Sequence, residues 1–230
     1  LALAEGAALL GQSDQFAALE MGGMGGEFEA TVETRIALTG APMRASIDGA
    51  NLVWNASHLL PKGARLCIGA ATTGSYGYLH FGGGLQGQTI LGAQSAHLAA
   101  GIGQTLQAGD TLPLGPDPHV LTGQKIDTDA RFDGGTVRIV PSLQTEFFAP
   151  AEISRFEATT FTRDTRGNRM GVRILPDGCG FKTSAGLSVL SEIIVSGDVQ
   201  VTGDGTPFVL LSECQTTGGY PRIGSVLPMD

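Results

Sequence analysis

The spacing of apolar residues changes from helical to strand-like about 20 residues into the chain. Residues 1–20 are rich in Ala and Leu at helical spacing and are interrupted by the polar run 11–14, which predicts two short helices with a capped restart at Ser13 or Asp14. From Phe28 onward, apolar and polar positions alternate in short runs. Asp48-Gly49 lies between two such runs, and a two-residue Asp-Gly loop favours a β-hairpin.

Further short strands are predicted along the rest of the chain. They are expected at residues 65–68, 76–81, 111–114, 136–140, 158–162, 171–174, 199–202 and 208–211. The second half has helical candidates at 145–148 and 151–156, separated by Pro150, because proline cannot continue a helix. Strands outnumber helices and no βαβ rhythm appears. The pattern therefore predicts a mainly β protein with a few short helices, arranged as two β-barrel-like halves that meet near residues 125–135.

Composition supports this picture and narrows the function. The 230 residues include 35 glycines, which fall between short apolar segments and indicate many tight turns. A formal charge of −8 argues against nucleic-acid binding, because an acidic surface repels phosphate. Three scattered cysteines predict neither a disulfide framework nor a zinc site. With no long apolar segment, we expect a cytoplasmic protein that does not contact membranes.

The common catalytic motifs are missing from the sequence. It contains no GxSxG elbow, HExxH pair, Walker A loop or Rossmann glycine fingerprint. Its four histidines share no metal-ligand spacing, so no metal site is predicted. A self-contained hydrolase or metalloenzyme therefore has little support.

Two segments remain as candidates for chemistry. Four arginines fall within eleven residues, at positions 163, 166, 169 and 173. Arg169 and Arg173 are suited to grip a carboxylate or carbonate-like anion, and the alternative is a solvated loop whose arginines face water. The run 215–221 (QTTGGYP) follows a strand, and its glycines allow backbone N–H groups to converge on an anion or carbonyl. The alternative there is an ordinary glycine turn with a packing tyrosine.

These segments also carry a family resemblance. The runs 168–173 (NRMGVR), 199–201 (VQV), 203–207 (GDGTP) and 215–223 (QTTGGYPRI) follow one another in the order seen in one family. The chain resembles the urea amidolyase / 5-oxoprolinase-subunit-C family, whose members are also called allophanate hydrolase subunit 2 or KipA-like. Two departures are visible: Glu213 stands where the family usually has Asp, and residues 92–96 (GAQSA) replace its GSxST segment.

The resemblance implies a fold of two cyclophilin-like β-barrel units. We expect one unit at residues 1–128, with its N-terminal part incomplete, and one at 129–230, with its C-terminal part incomplete. It also implies a subunit of a multi-subunit amidolyase or carboxyltransferase-type complex that binds and positions a small amide such as 5-oxoproline or a urea-like compound. Expected partners are a B-type (KipI-like) subunit and an A-type subunit or biotin carboxylase. No cofactor is expected on this chain, whereas biotin on a partner carrier and ATP on a partner subunit are compatible with it.

The resemblance also suggests roles for individual residues. Arg169, Glu213 and Tyr220 are the catalytic candidates, with Glu213 as proton acceptor. The expected substrate-binding residues are Arg173, Gln200, Gln215, Thr216, Thr217, Gly218 and Gly219. Two alternatives stay open: a non-catalytic KipA-like subunit that sequesters a kinase-inhibitor-type partner, and an assembly scaffold in which the QTTGGYP loop only packs.

Overall fold

The computed structural model describes residues 1–127, 130–184 and 189–228. These residues form two compact units, 1–134 and 135–230. The mainly β class with short helices is confirmed. The described strands form four open sheets, and none of these sheets closes into a barrel.

The described residues of the first unit form one α-helix, eight strands and two 3-10 turns. The helix α1 is Ala2–Leu10; the strands are β1 Leu19–Gly22, β2 Glu27–Glu29, β3 Thr34–Gly40, β4 Met43–Ile47, β5 Ala50–Asn51, β6 Ala56–Leu60, β7 Arg65–Ala71 and β8 Tyr76–Phe81. The 3-10 turns are Leu98–Ala100 and Ala130–Phe132. The strands form two sheets of order β1-β8-β3-β6 and β2-β7-β4-β5.

One hydrophobic core joins the two sheets of the first unit. It takes Ile36 and Leu38 from β3 and Leu66 and Ile68 from β7, all almost fully buried. Because side chains alternate along a strand, Arg35, Ala37 and Thr39 of β3 point to the opposite face. There α1 covers Ala37 with Leu9 and Leu10, so β3 is buried on both faces.

A buried arginine fixes the connection between this face and the segment near residue 117. Arg35 is 4% exposed and binds Asp117 through two parallel hydrogen bonds of 2.7 and 2.8 Å. Its remaining donors reach the carbonyls of Leu10 and Leu121. The hydrogen bonds from Arg35 hold the pKa of Asp117 below its usual range. The pair therefore ties helix, sheet and loop together with every guanidinium nitrogen used.

The second unit is built on one six-stranded sheet of order β10-β11-β14-β13-β16-β9. Its elements are β9 Ile139–Val140, a 3-10 turn Thr145–Phe147, α2 Pro150–Ala158, β10 Phe161–Arg163, β11 Gly171–Pro176, β12 Glu192–Ile193, β13 Asp198–Val201, β14 Pro207–Leu210, β15 Thr217–Gly218 and β16 Arg222–Val226. β12 and β15 form a separate two-stranded sheet. The core packs Val199, Val201 and Ile223 against the aromatic rings of Phe148, Phe156 and Phe181.

Most predicted elements are present, and the exceptions have local causes. The Asp48-Gly49 hairpin is confirmed, with φ of +48° and +84° at these two residues. The second helix predicted within residues 1–20 is wrong: Gly11 caps α1 in the left-handed conformation, and Leu19–Gly22 pairs with β8 instead. Residues 111–114 form only a single bridge, from Leu114 to Leu85. Pro150 occupies the first turn of α2, where its missing N–H costs nothing.

None of the helices formed by the described residues is both long and apolar enough to cross a membrane.

We expect Asp117→Asn to lower the free energy of unfolding by about 3 kcal/mol, because it leaves the charge of Arg35 buried without its partner. Urea denaturation followed by fluorescence of Trp54, the single tryptophan, measures this in the first unit. The matched control is Glu27→Gln, which removes an exposed ion pair of 3.8 Å with Arg65 and should cost less than about 0.5 kcal/mol. Equal effects of the two substitutions would contradict the role given to Arg35.

Burial of His80 predicts a loss of stability in acid. The ring lies under Gly6 of α1, and its Nε2 is 2.9 Å from the hydroxyl of Thr39, which donates to the carbonyl of Ala2. Burial lowers the pKa of His80 from 6.5 to about 4. Below pH 6.5 the histidine becomes protonated in the unfolded chain but stays neutral in the folded chain. The free energy of unfolding is therefore unaffected by this group above pH 6.5 and decreases as the pH falls toward 4.

Between pH 7.5 and pH 5 we expect the wild-type protein to lose about 2 kcal/mol more than a His80→Gln variant. Urea titrations at the two pH values measure the difference. The same pH dependence in both proteins would show that His80 is not the responsible group.

Candidate functional site

A row of side chains crosses the six-stranded sheet on the face opposite the aromatic core. Arg173, Phe208, Gln200 and Arg222 are successive cross-strand partners on β11, β14, β13 and β16. Directly opposed residues of antiparallel strands project to the same side. The neighbouring row, which includes Val199 and Val209, faces the core. The second unit therefore has one apolar face and one polar face.

The diglycine segment lies directly on this polar face. A Cβ atom at Gly218 would stand 2.6 Å from Nε2 of Gln200 and 2.9 Å from the side chain of Ile194, so no larger residue fits without a shift. Gln200 is 5% exposed, and its Nε2 donates to the carbonyl of Tyr220 at 3.3 Å. The absence of a side chain at position 218 is therefore what allows the segment to approach the amide of Gln200.

Glu192 and Arg222 complete the arrangement. Glu192 of β12 pairs with Gly218 of β15. The Oε2 atom of Glu192 accepts hydrogen bonds from Nη2 of Arg222 at 3.1 Å and from Nε2 of Gln144 at 2.8 Å. Gln200, Gly218, Glu192 and Arg222 thus close a ring in which each residue contacts or pairs with the next. We call these four residues the Gln200 ring.

A buried carboxylate also binds the guanidinium of Arg222. Asp198 is 1% exposed and accepts hydrogen bonds from Nη1 of Arg222, from the hydroxyl of Ser225 and from the backbone of Val195, at 3.0, 2.6 and 3.0 Å. A buried charge is tolerated when it is paired and hydrogen-bonded in this way. The guanidinium of Arg222 is therefore fixed between Asp198 and Glu192.

The ring contains side chains that can donate hydrogen bonds and side chains that can accept them. Gln200 can donate and accept, and Glu192, whose side chain is 47% exposed, accepts only. Among residues 1–127, 130–184 and 189–228, no three His, Cys, Asp or Glu side chains are grouped so that they could hold a metal ion.

Comparison with known proteins places the chain in a family. The sequence model of the family "carboxyltransferase domain, subdomain A and B" matches residues 1–230. The chain belongs to this family.

Relatives of this carboxyltransferase-domain chain cover it almost completely. It is 33% identical to the C subunit of 5-oxoprolinase from Escherichia coli. The alignment covers 96% of this chain and 72% of the Escherichia coli protein. The crystal structure of TTHA0988 is 30% identical, with a TM-score of 0.85 over the whole chain, which spans 45% of that protein. The urea carboxylase of Kluyveromyces lactis, at 22% identity and a TM-score of 0.79, shares the fold over 97% of this chain and 22% of its own.

The carboxyltransferase-domain chain keeps the two candidate arginines apart. Arg169 lies in the tight turn between Asn168 and Gly171, and its guanidinium is 3.1 Å from the carboxylate of Glu213. Arg173 lies near the opposite end of the β11–β14 pair and binds Asp204 at 2.7 Å. Each arginine is paired with its own carboxylate, and binding of an anion by the two together stays a prediction.

Two aspartates that bind arginines in this part of the chain, Asp204 and Asp164, have lowered pKa values. The pKa of Asp204 is well below its usual range, because its carboxylate accepts from the hydroxyl of Thr202, the backbone of Thr206 and Arg173. Similarly, the guanidinium and backbone of Arg166 lower the pKa of Asp164 to about 2. The side chain of Arg166 is 73% exposed.

The other predicted residues divide between the ring and its surroundings. Gly218 and Gln200 belong to the ring, and the carbonyl of Tyr220 binds Gln200. Thr217 pairs with Ile193, while Thr216 and Gly219 contribute carbonyls to Ile194 and Val189. The exposed Gln215 lies in the loop before β15.

Glu192 and Arg222 are absent from the site residues that the sequence predicts. Arg222 belongs to the run 215–223 that carries the resemblance, so it was available as a candidate. Glu192 lies far from that run in sequence and reaches the ring only through the pairing of β12 with β15. No local motif marks this position.

We expect Gly218→Ala to lower the free energy of unfolding by roughly 2 kcal/mol, since the new methyl group would overlap the amide of Gln200. Gly219→Ala is the comparison variant: its methyl group would meet the carbonyl oxygen of Val189 at 3.1 Å, a milder contact, so we expect a smaller loss of stability. Thermal unfolding of both variants, and of Gly218→Ala with Gln200→Ala, measures the effect. If the double variant recovers none of the lost stability, the close contact with Gln200 is not its cause.

Proposed function

We propose that this chain belongs to the C-type subunit of a multi-subunit amidolyase or carboxyltransferase-type complex, in which it binds and positions a small amide such as 5-oxoproline or a urea-like compound. Kinship with the C subunits of two bacterial 5-oxoprolinases supports the type of complex. The Gln200 ring supports the substrate class, because its side chains match the donor and acceptor of an amide.

The observation that carries the proposal is the placement of the amide of Gln200 beneath Gly218. A nearly buried amide with a fixed orientation can form hydrogen bonds with a substrate amide more selectively than a mobile surface side chain can. Arg222 and Asp198 give the neighbourhood a rigid charged frame, so little reorganisation is needed when a polar substrate binds.

The chain contributes positioning, and its partners contribute activation. We assign ATP, and biotin where it is used, to partner subunits: a B-type (KipI-like) subunit with an A-type subunit or a biotin carboxylase. Arg169 with Glu213, and Arg173 with Asp204, supply charge at the two ends of the β11–β14 pair, outside the ring. Tyr220 follows the diglycine segment in sequence, is 44% exposed and offers a hydroxyl group to a ligand.

We expect Gln200→Met to raise the KM for 5-oxoproline at least about tenfold, because methionine keeps the volume of glutamine but loses both hydrogen-bonding groups. The measurement is ADP release dependent on 5-oxoproline by the complex reconstituted from the full-length protein with A-type and B-type subunits. Gln15→Met, an exposed substitution in the first unit, is the control and should leave KM unchanged.

Two results would contradict the proposal. An unchanged KM in Gln200→Met would remove the ring from substrate binding. A wild-type complex that assembles but turns over neither 5-oxoproline nor urea would instead favour the KipA-like regulatory role.

A further inference from the structure

The carboxylate of Glu192 is held by one oxygen only. Its Oε2 atom accepts from Arg222 at 3.1 Å and from Gln144 at 2.8 Å. Gln144 is 4% exposed, and its Oε1 accepts from the backbone of Arg222, so both donors are themselves fixed. Within the described part of the chain, the Oε1 atom of Glu192 has no hydrogen-bond partner. The side chain is 47% exposed, so solvent reaches the carboxylate while its Oε2 atom is anchored.

Glu213, the carboxylate favoured by the sequence, has a different environment. Its Oε1 atom is 3.1 Å from Nη2 of Arg169, and its backbone continues the β11–β14 pairing. In the described residues no hydrogen bond links it to Gln200, Gly218 or Tyr220. Glu192, by contrast, pairs with Gly218 and binds Arg222, the strand partner of Gln200.

We propose that Glu192, through its Oε1 atom, accepts a hydrogen bond from the N–H group of the bound amide and makes the site selective for amides that carry one. This inference rests on the proposed function. It replaces Glu213 by Glu192 as the carboxylate that contacts the substrate nitrogen.

The physical basis of the selectivity is that a carboxylate can only accept hydrogen bonds. A lactam such as 5-oxoproline presents N–H beside its carbonyl and satisfies Glu192. The corresponding lactone, in which oxygen replaces N–H, places a lone pair against the carboxylate. A site that hydrogen-bonds a substrate N–H rejects the analogue lacking it strongly, because the protein group is then left unpaired.

Glu192→Gln is a nearly isosteric test of this role. Both anchoring groups, from Arg222 and Gln144, are donors, so the new amide must turn its oxygen toward them. Its NH₂ group then faces the substrate in place of Oε1. The hydrogen bonds to Arg222 and Gln144 are preserved, while the acceptor that faces the substrate is replaced by a donor.

The experiment measures KM for 5-oxoproline and the inhibition constant of its lactone analogue with the reconstituted complex. For Glu192→Gln we expect KM to rise about 10- to 100-fold, the range for a hydrogen bond to a charged group, and lactone inhibition to strengthen. The melting temperature should stay within two degrees or so of wild type. Glu157→Gln, an exposed change on α2, is the control and should alter neither constant.

Other outcomes separate the inference from the proposed function. Normal KM and unchanged lactone inhibition in Glu192→Gln, with a raised KM in Glu213→Gln, would overturn the role of Glu192 and leave the proposed function standing. A wild-type complex without turnover or binding of 5-oxoproline or urea would overturn both.

Discussion

The close approach of the diglycine segment to the sheet determines the character of the second unit. A side chain at position 218 of β15 would overlap Gln200 and Ile194, so the approach of β15 to the polar face of the sheet requires glycine there. Gln200 is buried as a result, yet its amide stays hydrogen-bonded through the carbonyl of Tyr220. A buried amide held in this way is costly to leave unpaired, so its partners have to be supplied by the fold or by a ligand.

Charged side chains of the second unit are also paired within the fold. The arginines of the second unit that the sequence singles out at 169 and 173 are each balanced by a carboxylate, and Arg222 is balanced by two. Ion pairing offsets the charge of Arg169, Arg173 and Arg222 locally. The same ion pairs fix the neighbouring loops and strands. The available acceptor at the ring is accordingly a carboxylate, which fits an N–H group better than an anionic substrate group.

The sequence predicts the class of fold well, because alternation and turn chemistry are local properties. The Asp48-Gly49 hairpin and the strands near residues 76–81 and 171–174 follow directly from them. It predicts Gln200 and Gly218 through the order of the family motifs. It misses Glu192, since cross-strand pairing between β12 and β15 has no local signature. It also gives no sign that Arg169 and Arg173 have different carboxylate partners. Their carboxylate partners, Glu213 and Asp204, lie at opposite ends of β14, a long-range fact that spacing along β11 does not contain.

The most direct measurement is a crystal structure of the full-length protein in complex with its partner subunits and 5-oxoproline. We predict that the lactam nitrogen lies within hydrogen-bond distance of Oε1 of Glu192, beside Gln200 and Gly218. A lactam bound against Arg169 and Glu213, with the Gln200 ring unoccupied, would contradict this prediction.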